Sequence, residues 1–73
     1  MSEPLIHTLK HQLSTLDHEI LDLLRRREQI QSELHNYEAS VSLEETLDDL
    51  QPEIEHQCLD AEKMKSIWTQ IYK

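Results

Sequence analysis

The chain has 73 residues, 37% of them apolar, and a formal net charge of −8 with its histidines neutral. A monomer of this length buries only about 60% of its unfolded surface, so self-association is expected. The absence of glycine excludes glycine-rich phosphate loops, and the single Cys58 excludes an internal disulfide. No segment has the apolarity of a signal peptide or a membrane span, which predicts a soluble cytoplasmic protein without a membrane partner.

Basic residues are unevenly distributed along the chain. Residues 28–62 contain eleven acidic residues and no lysine or arginine. Such a stretch repels polyanions, so no nucleic-acid partner is expected. The acidity has two interpretations: a solvated face that keeps the protein soluble, or a docking surface for a basic partner, which would include mimicry of nucleic acid.

The first predicted helix runs from about residue 4 to residue 37, with Pro4 in its first turn. Ten positions in it are spaced alternately by three and four residues, and side chains at these spacings share one face. We call this line of residues the heptad seam. Its members are Ile6, Leu9, Leu13, Leu16, Ile20, Leu23, Arg27, Ile30, Leu34 and Tyr37. Nine are apolar, so the seam predicts one long helix packed on other helices, and Arg27 requires an anionic partner there.

Two shorter helices are predicted after the break at residues 39–42. Ser42 and Glu45 match a capping box for a helix over about 43–58. Its predicted apolar face comprises Leu43, Leu47, Leu50, Ile54 and Cys58. Pro52 is compatible with a kink or with the start of a second short helix.

Asp60 can cap a third helix over about 60–73. One side of this helix carries Met64, Ile67, Trp68 and Ile71. Trp68 and Tyr72 are expected at its core and rim, whereas an exposed Trp68 would indicate a partner surface. The predicted fold is a single all-α domain over residues 1–73.

Two parts of the sequence carry a family resemblance. Residues 9–17 (LKHQLSTLD) and 20–28 (ILDLLRRRE) resemble the first helix of the all-α chorismate mutases, which reads approximately L-R-x-x-I-x-x-L-D-x-x-I-L-x-L-L-x-x-R. Residues 59–62 (LDAE), followed by 67–71 (IWTQI), resemble the start of the third helix of that family. Together the two matches span most of the chain.

The resemblance implies a three-helix protomer in an intertwined dimer that forms through the first helix. In that family the dicarboxylate chorismate lies between helices, held by arginines and a lysine, while it rearranges to prephenate. The cations act by electrostatic preorganisation and need no cofactor. Relatives with the same fold cleave pyruvate from isochorismate, so the fold does not select the reaction.

The functional positions of the family are only partly present. Arg27 matches the first-helix arginine, and Lys10 stands where the family has an arginine contributed across the dimer. The family lysine falls on Glu38, a reversal of charge. The helix 2 arginine falls near Ser42 and Leu43, in a region without lysine or arginine. The ligand-binding candidates are therefore Arg27 and Lys10, and no catalytic residue is assigned.

These departures predict a catalytically degenerate helical module that acts by dimerisation or as a regulatory subunit for a protein partner. One alternative is an active minimal mutase or isochorismate-pyruvate lyase, and another is an acidic inhibitor or adaptor. Arg27 has two interpretations as well. It can meet a small dicarboxylate ligand, or it can meet Asp17, Glu28 or Glu38 of a partner helix in an antiparallel dimer.

The histidines and the cysteine predict no metal site or nucleophile. His7, His11 and His18 share the helix face opposite the seam, and the first two have zinc-ligand spacing, but a pair is not a site. His56 and Cys58 are separated by one residue and would point in different directions on a helix. Cys58 is expected to act as a small apolar side chain in the core.

Overall fold

The structure is a computed structural model that describes residues 3–73. It contains three helices, α1 (Glu3–Asn36), α2 (Leu43–His56) and α3 (Ala61–Ile71), and no strand within that range. The all-α prediction of one long and two shorter helices is confirmed. The chain divides into two units, of which the first ends at Ala39 and the second runs from Ser40 to Lys73.

Helix α1 has 34 residues and is about 51 Å long. It contains nine of the ten positions of the heptad seam, and Tyr37 follows directly after it. Seven leucines and isoleucines of the seam are between 44% and 61% exposed. They are Ile6, Leu9, Leu13, Leu16, Ile20, Leu23 and Ile30. Most of the apolar surface of the seam therefore faces solvent in the single chain.

Both α1 and α2 end in a turn whose key residue has a positive φ. Glu38 and Cys58 each have φ of 56°. After α1 the N–H of Ala39 donates to the carbonyl of Leu34, and after α2 the N–H of Leu59 donates to the carbonyl of Ile54, at 2.9 and 3.0 Å. This is the Schellman arrangement, which usually has glycine at the positive-φ position. The chain has no glycine, so Glu38 and Cys58 take that conformation.

Helix α2 begins as predicted and ends earlier than predicted. The Ser42 hydroxyl accepts a hydrogen bond from the N–H of Glu45 at 3.1 Å, which is the predicted cap. The helix continues through Pro52, and no second helix begins there. It ends at His56, and the prediction that Cys58 belongs to the apolar face is wrong. Cys58 is exposed, because the chain reverses at this residue.

The second unit is a pair of packed helices with a thin core. Helices α2 and α3 contact each other, and Ile54, 7% exposed, is the only buried side chain among the described residues. The two helices also carry half-buried apolar side chains: Leu43, Leu47, Leu50, Met64, Trp68 and Ile71. Asp60 caps α3 by accepting hydrogen bonds from the N–H groups of Glu62 and Lys63. The hydroxyls of Thr46 and Tyr72 share a hydrogen bond that joins the start of α2 to the end of α3.

The positive φ of Cys58 leads to a stability prediction. A residue with a Cβ atom is disfavoured in the left-handed region, and glycine is not. We expect Cys58→Gly to raise the free energy of unfolding by about 1 kcal/mol relative to Cys58→Ala, which also removes the thiol but keeps the Cβ atom. Urea unfolding followed by circular dichroism measures the difference. Equal stability of the two variants would contradict the conformational account.

Candidate functional site

Arg25, Arg26 and Arg27 form the main concentration of positive charge in the described chain, and two of them pair with one carboxylate. The Nη2 atom of Arg25 lies 3.0 Å from Asp22 Oδ1, and the Nε atom of Arg26 lies 3.2 Å from Asp22 Oδ2. Arg25 Nη1 also donates to Gln29 Oε1 at 3.3 Å. Consecutive residues of a helix point about 100° apart, so the three guanidinium groups leave α1 in different directions.

The two arginine partners lower the pKa of Asp22. The hydrogen bond from Arg25 and then the charge of Arg26 hold this pKa below its ordinary value of 3.8. These contacts follow the i,i+3 and i,i+4 spacing of a helix surface, where oppositely charged side chains meet. The sequence contains that spacing, although no ion pair was predicted there.

Arg27 is the one charged member of the heptad seam. Its side chain is half-buried, and its Nη1 atom is shielded from solvent. Along the last part of α1 the half-buried positions follow a helical stripe: Leu24, Arg27, Gln31 and Leu34. Arg27 is therefore a cation within a partly desolvated apolar line, where a charge interacts more strongly than at an open surface.

Lys10 lies on the same helix and is exposed. Because α1 is continuous from Glu3 to Asn36, the separation of 17 positions between Lys10 and Arg27 corresponds to about 26 Å along the axis. A small dicarboxylate cannot span that distance. A shared ligand would therefore need Arg27 from one chain and Lys10 from another, and the predicted binding roles of both residues stay predictions.

The resemblance places the family lysine and the helix 2 arginine at residues that form a turn or the start of a helix in this chain. Glu38, matched to the family lysine, lies outside α1 in the positive-φ turn and is exposed. The Ser42 hydroxyl is engaged in capping α2, and the adjacent Leu43 is half-buried on α2. None of these three positions carries a lysine or an arginine.

Two shallow depressions lie on the surface of α1 alone. One is lined by His11, Ser14, Thr15, His18, Glu19, Asp22 and Leu23, and the other by Arg25, Glu28, Gln29, Ser32 and Glu33. In the first, His18 Nδ1 lies 2.7 Å from the carbonyl oxygen of Ser14. Neither depression is lined by Arg27 or Lys10. Both are open grooves between side chains of one helix, so neither has the walls needed to enclose a small molecule.

The described residues bring together no group of three or more histidine, cysteine or acidic side chains suited to a metal ion. His7 is exposed, His56 lies in the last turn of α2, and Cys58 lies beyond that helix. Among the described helices, none combines the length and the apolarity that a membrane span requires.

No family model matches the chain, and neither curated proteins nor solved structures give a significant match. The resemblance to the chorismate mutases therefore depends on the residues quoted above. The structure shows the bounds of the three helices, the exposure of the seam in the single chain and the axial separation of Lys10 and Arg27 on α1.

One side-chain contact of the second unit is not predicted by any motif in the sequence. Thr46 and Tyr72 are 26 residues apart, and their hydroxyls meet because α2 and α3 pack against each other. Neither residue belongs to a recognisable motif. By contrast, the caps at Ser42 and Asp60 have short-range signatures and were predicted.

The Asp22 pair gives a pH-dependent prediction. A carboxyl group whose folded pKa is lowered stabilises the fold above its unfolded pKa, and that contribution disappears as the pH falls through the folded pKa. We expect Arg25→Gln to raise the pKa of Asp22 more than Arg26→Gln, because the hydrogen bond from Arg25 is the larger cause. Carboxyl carbon NMR titration between pH 2 and about 6 covers the range of ordinary carboxyl groups. An Asp22 pKa that is insensitive to both substitutions would contradict the assignment.

Proposed function

We propose that this chain is a helical association module that forms a homodimer through the heptad seam of α1, with a chorismate mutase-like organisation and without competent mutase chemistry. In this proposal it acts through its dimer, or as a regulatory subunit for a protein partner. The observation that carries the proposal is the exposed seam on a 34-residue helix.

Burial of the seam would supply the driving force for association. Complete burial of a leucine or isoleucine side chain contributes about 1.5–3 kcal/mol, and seven such side chains of the seam are exposed by 44% or more. Contiguous apolar patches of this extent mark interaction surfaces in folded proteins. A long helix also gains most of its stability from packing an apolar face, so folding and association support each other.

The distribution of cations supports association over catalysis. Lys10 and Arg27 are about 26 Å apart along α1, and Glu38 and Ser42 stand where further cations would be required. Loss of a single well-placed group that stabilises charge in the transition state commonly costs about 3 kcal/mol, or more than a hundredfold in rate. Arg27, the retained cation, has a half-buried position suited to a carboxylate, either of a small dicarboxylate or of a second chain.

The dimer can be tested at the middle of the seam. We expect Leu23→Glu to shift the protein to monomer, because each chain would bring a carboxylate into the apolar contact. The matched control is Leu21→Glu, which makes the same chemical change on the same helix at a 66% exposed position outside the seam. Sedimentation velocity over a range of concentrations measures the fraction of dimer.

A wild-type protein that sediments only as a monomer would contradict the proposal. Equal effects of Leu23→Glu and Leu21→Glu would place the contact elsewhere on α1. Circular dichroism of each variant at the same concentrations distinguishes dissociation from loss of helix.

The absence of mutase chemistry has its own test. We expect purified protein at high concentration to form neither prephenate from chorismate nor pyruvate from isochorismate above the uncatalysed rate. Turnover that disappears in Arg27→Ala and persists in Arg25→Ala would show an active site at Arg27 and would overturn this part of the proposal. Arg25 is a suitable control because its side chain is exposed and pairs with Asp22.

A further inference from the structure

We propose that the two copies of α1 pair in antiparallel orientation, in the register that places residue n of one copy opposite residue 43 − n of the partner copy. This inference rests on the proposed function, since it specifies how the seam is covered. It is carried by two features of α1: the symmetry of the seam, and the charges that flank it.

The heptad seam is symmetric about its midpoint between residues 21 and 22. Replacing n by 43 − n converts the ten positions into one another. The resulting contacts are Ile6 with Tyr37, Leu9 with Leu34, Leu13 with Ile30, Leu16 with Arg27, and Ile20 with Leu23. A shift of one heptad in either direction leaves seam residues at one end without a partner. The proposed register therefore covers the most apolar surface.

Flanking charges favour this orientation. Gln12, Glu19, Arg26 and Glu33 each precede a seam residue by one position and so border the seam on one side. A two-fold axis between antiparallel helices brings this side of one copy against the same side of the other. Glu19 then faces Arg26 of the partner copy with an axial offset of two residues, about 3 Å. The symmetry produces this attractive pair twice.

The side chains of this pair are accessible. Glu19 is exposed, and the Arg26 side chain is 63% exposed while in contact with Asp22. In the same register, Glu19 of the partner copy is level with residue 24. It is therefore three residues, or about 4.5 Å, from Arg27 along the axis. One carboxylate from the second chain would thus face two guanidinium groups and bring negative charge to the cation in the seam.

A parallel pair has the opposite electrostatics. It would place Arg27 directly against Arg27 of the partner copy inside the seam, where repulsion between like charges is weakly screened. In that orientation Glu19 borders Leu24 and Arg26 borders Gln31, so the flanks supply no attraction. The charges therefore destabilise a parallel pair and stabilise an antiparallel one.

A charge exchange tests the flanking pair. Glu19→Lys sets an ammonium group against Arg26 of the partner copy, and Arg26→Glu sets a second carboxylate against Glu19. Each variant alone should therefore dimerise more weakly, by on the order of tenfold at low salt. In a mixture of the two variants, a heterodimer avoids both like-charge contacts, and we expect it to form preferentially. Arg25→Glu is the matched control, because it also loses a contact with Asp22 but does not border the seam.

Cross-linking tests orientation and register without altering the apolar contacts. In a Cys58→Ser background, a short bismaleimide should join Gln12→Cys chains to Glu33→Cys chains, which are adjacent in the proposed register. It should not join Gln12→Cys chains to Asp17→Cys chains, which are adjacent in a parallel pair and about 21 Å apart along the axis in the proposed one.

The outcomes of these experiments distinguish the antiparallel register from dimerisation through α1 itself. A monomer in sedimentation overturns both. A dimer that cross-links Gln12→Cys to Asp17→Cys, or cross-links neither pair, overturns the orientation or the register while leaving association through α1 intact. A dimer in which Arg25→Glu and Arg26→Glu weaken association equally, with no rescue on mixing, overturns the Glu19 and Arg26 contact.

Discussion

The exposed apolar face of α1 is the constraint on which the rest of the molecule depends. A helix of 34 residues extends for about 51 Å, and no described side chain of α1 is buried. Alternation of three- and four-residue steps keeps its leucines and isoleucines in line over nearly that whole length. An apolar stripe of this length is removed from water most completely by packing against a second apolar surface of similar length.

The rigidity of α1 also governs what its charges can do. Side chains on one continuous helix are held at fixed axial distances, so Lys10 and Arg27 cannot converge by bending of the chain between them. Cations as far apart on one helix as these two can meet on one small anion only if they come from different chains. Asp22 shows the complementary case, since Arg25 and Arg26 are near enough in the helix to share one carboxylate.

Features encoded over short range were predictable from the sequence. The seam predicted α1, and the caps at Ser42 and Asp60 predicted where α2 and α3 begin. The position of Cys58 was predicted wrongly because helix ends were judged from apolar spacing alone. In a chain without glycine the usual mark of a helix end is missing, and residues with side chains take its place. The contact between Thr46 and Tyr72 depends on helix packing, which no local pattern encodes.

The thin core of the second unit has a consequence for its tolerance of sequence change. Ile54 alone among the described residues is buried, and the side chains around it keep contact with water. Substitutions at partly exposed positions generally change stability little, so packing restricts few positions here. The second unit can therefore accept changes at most of its positions while its two helices stay in place.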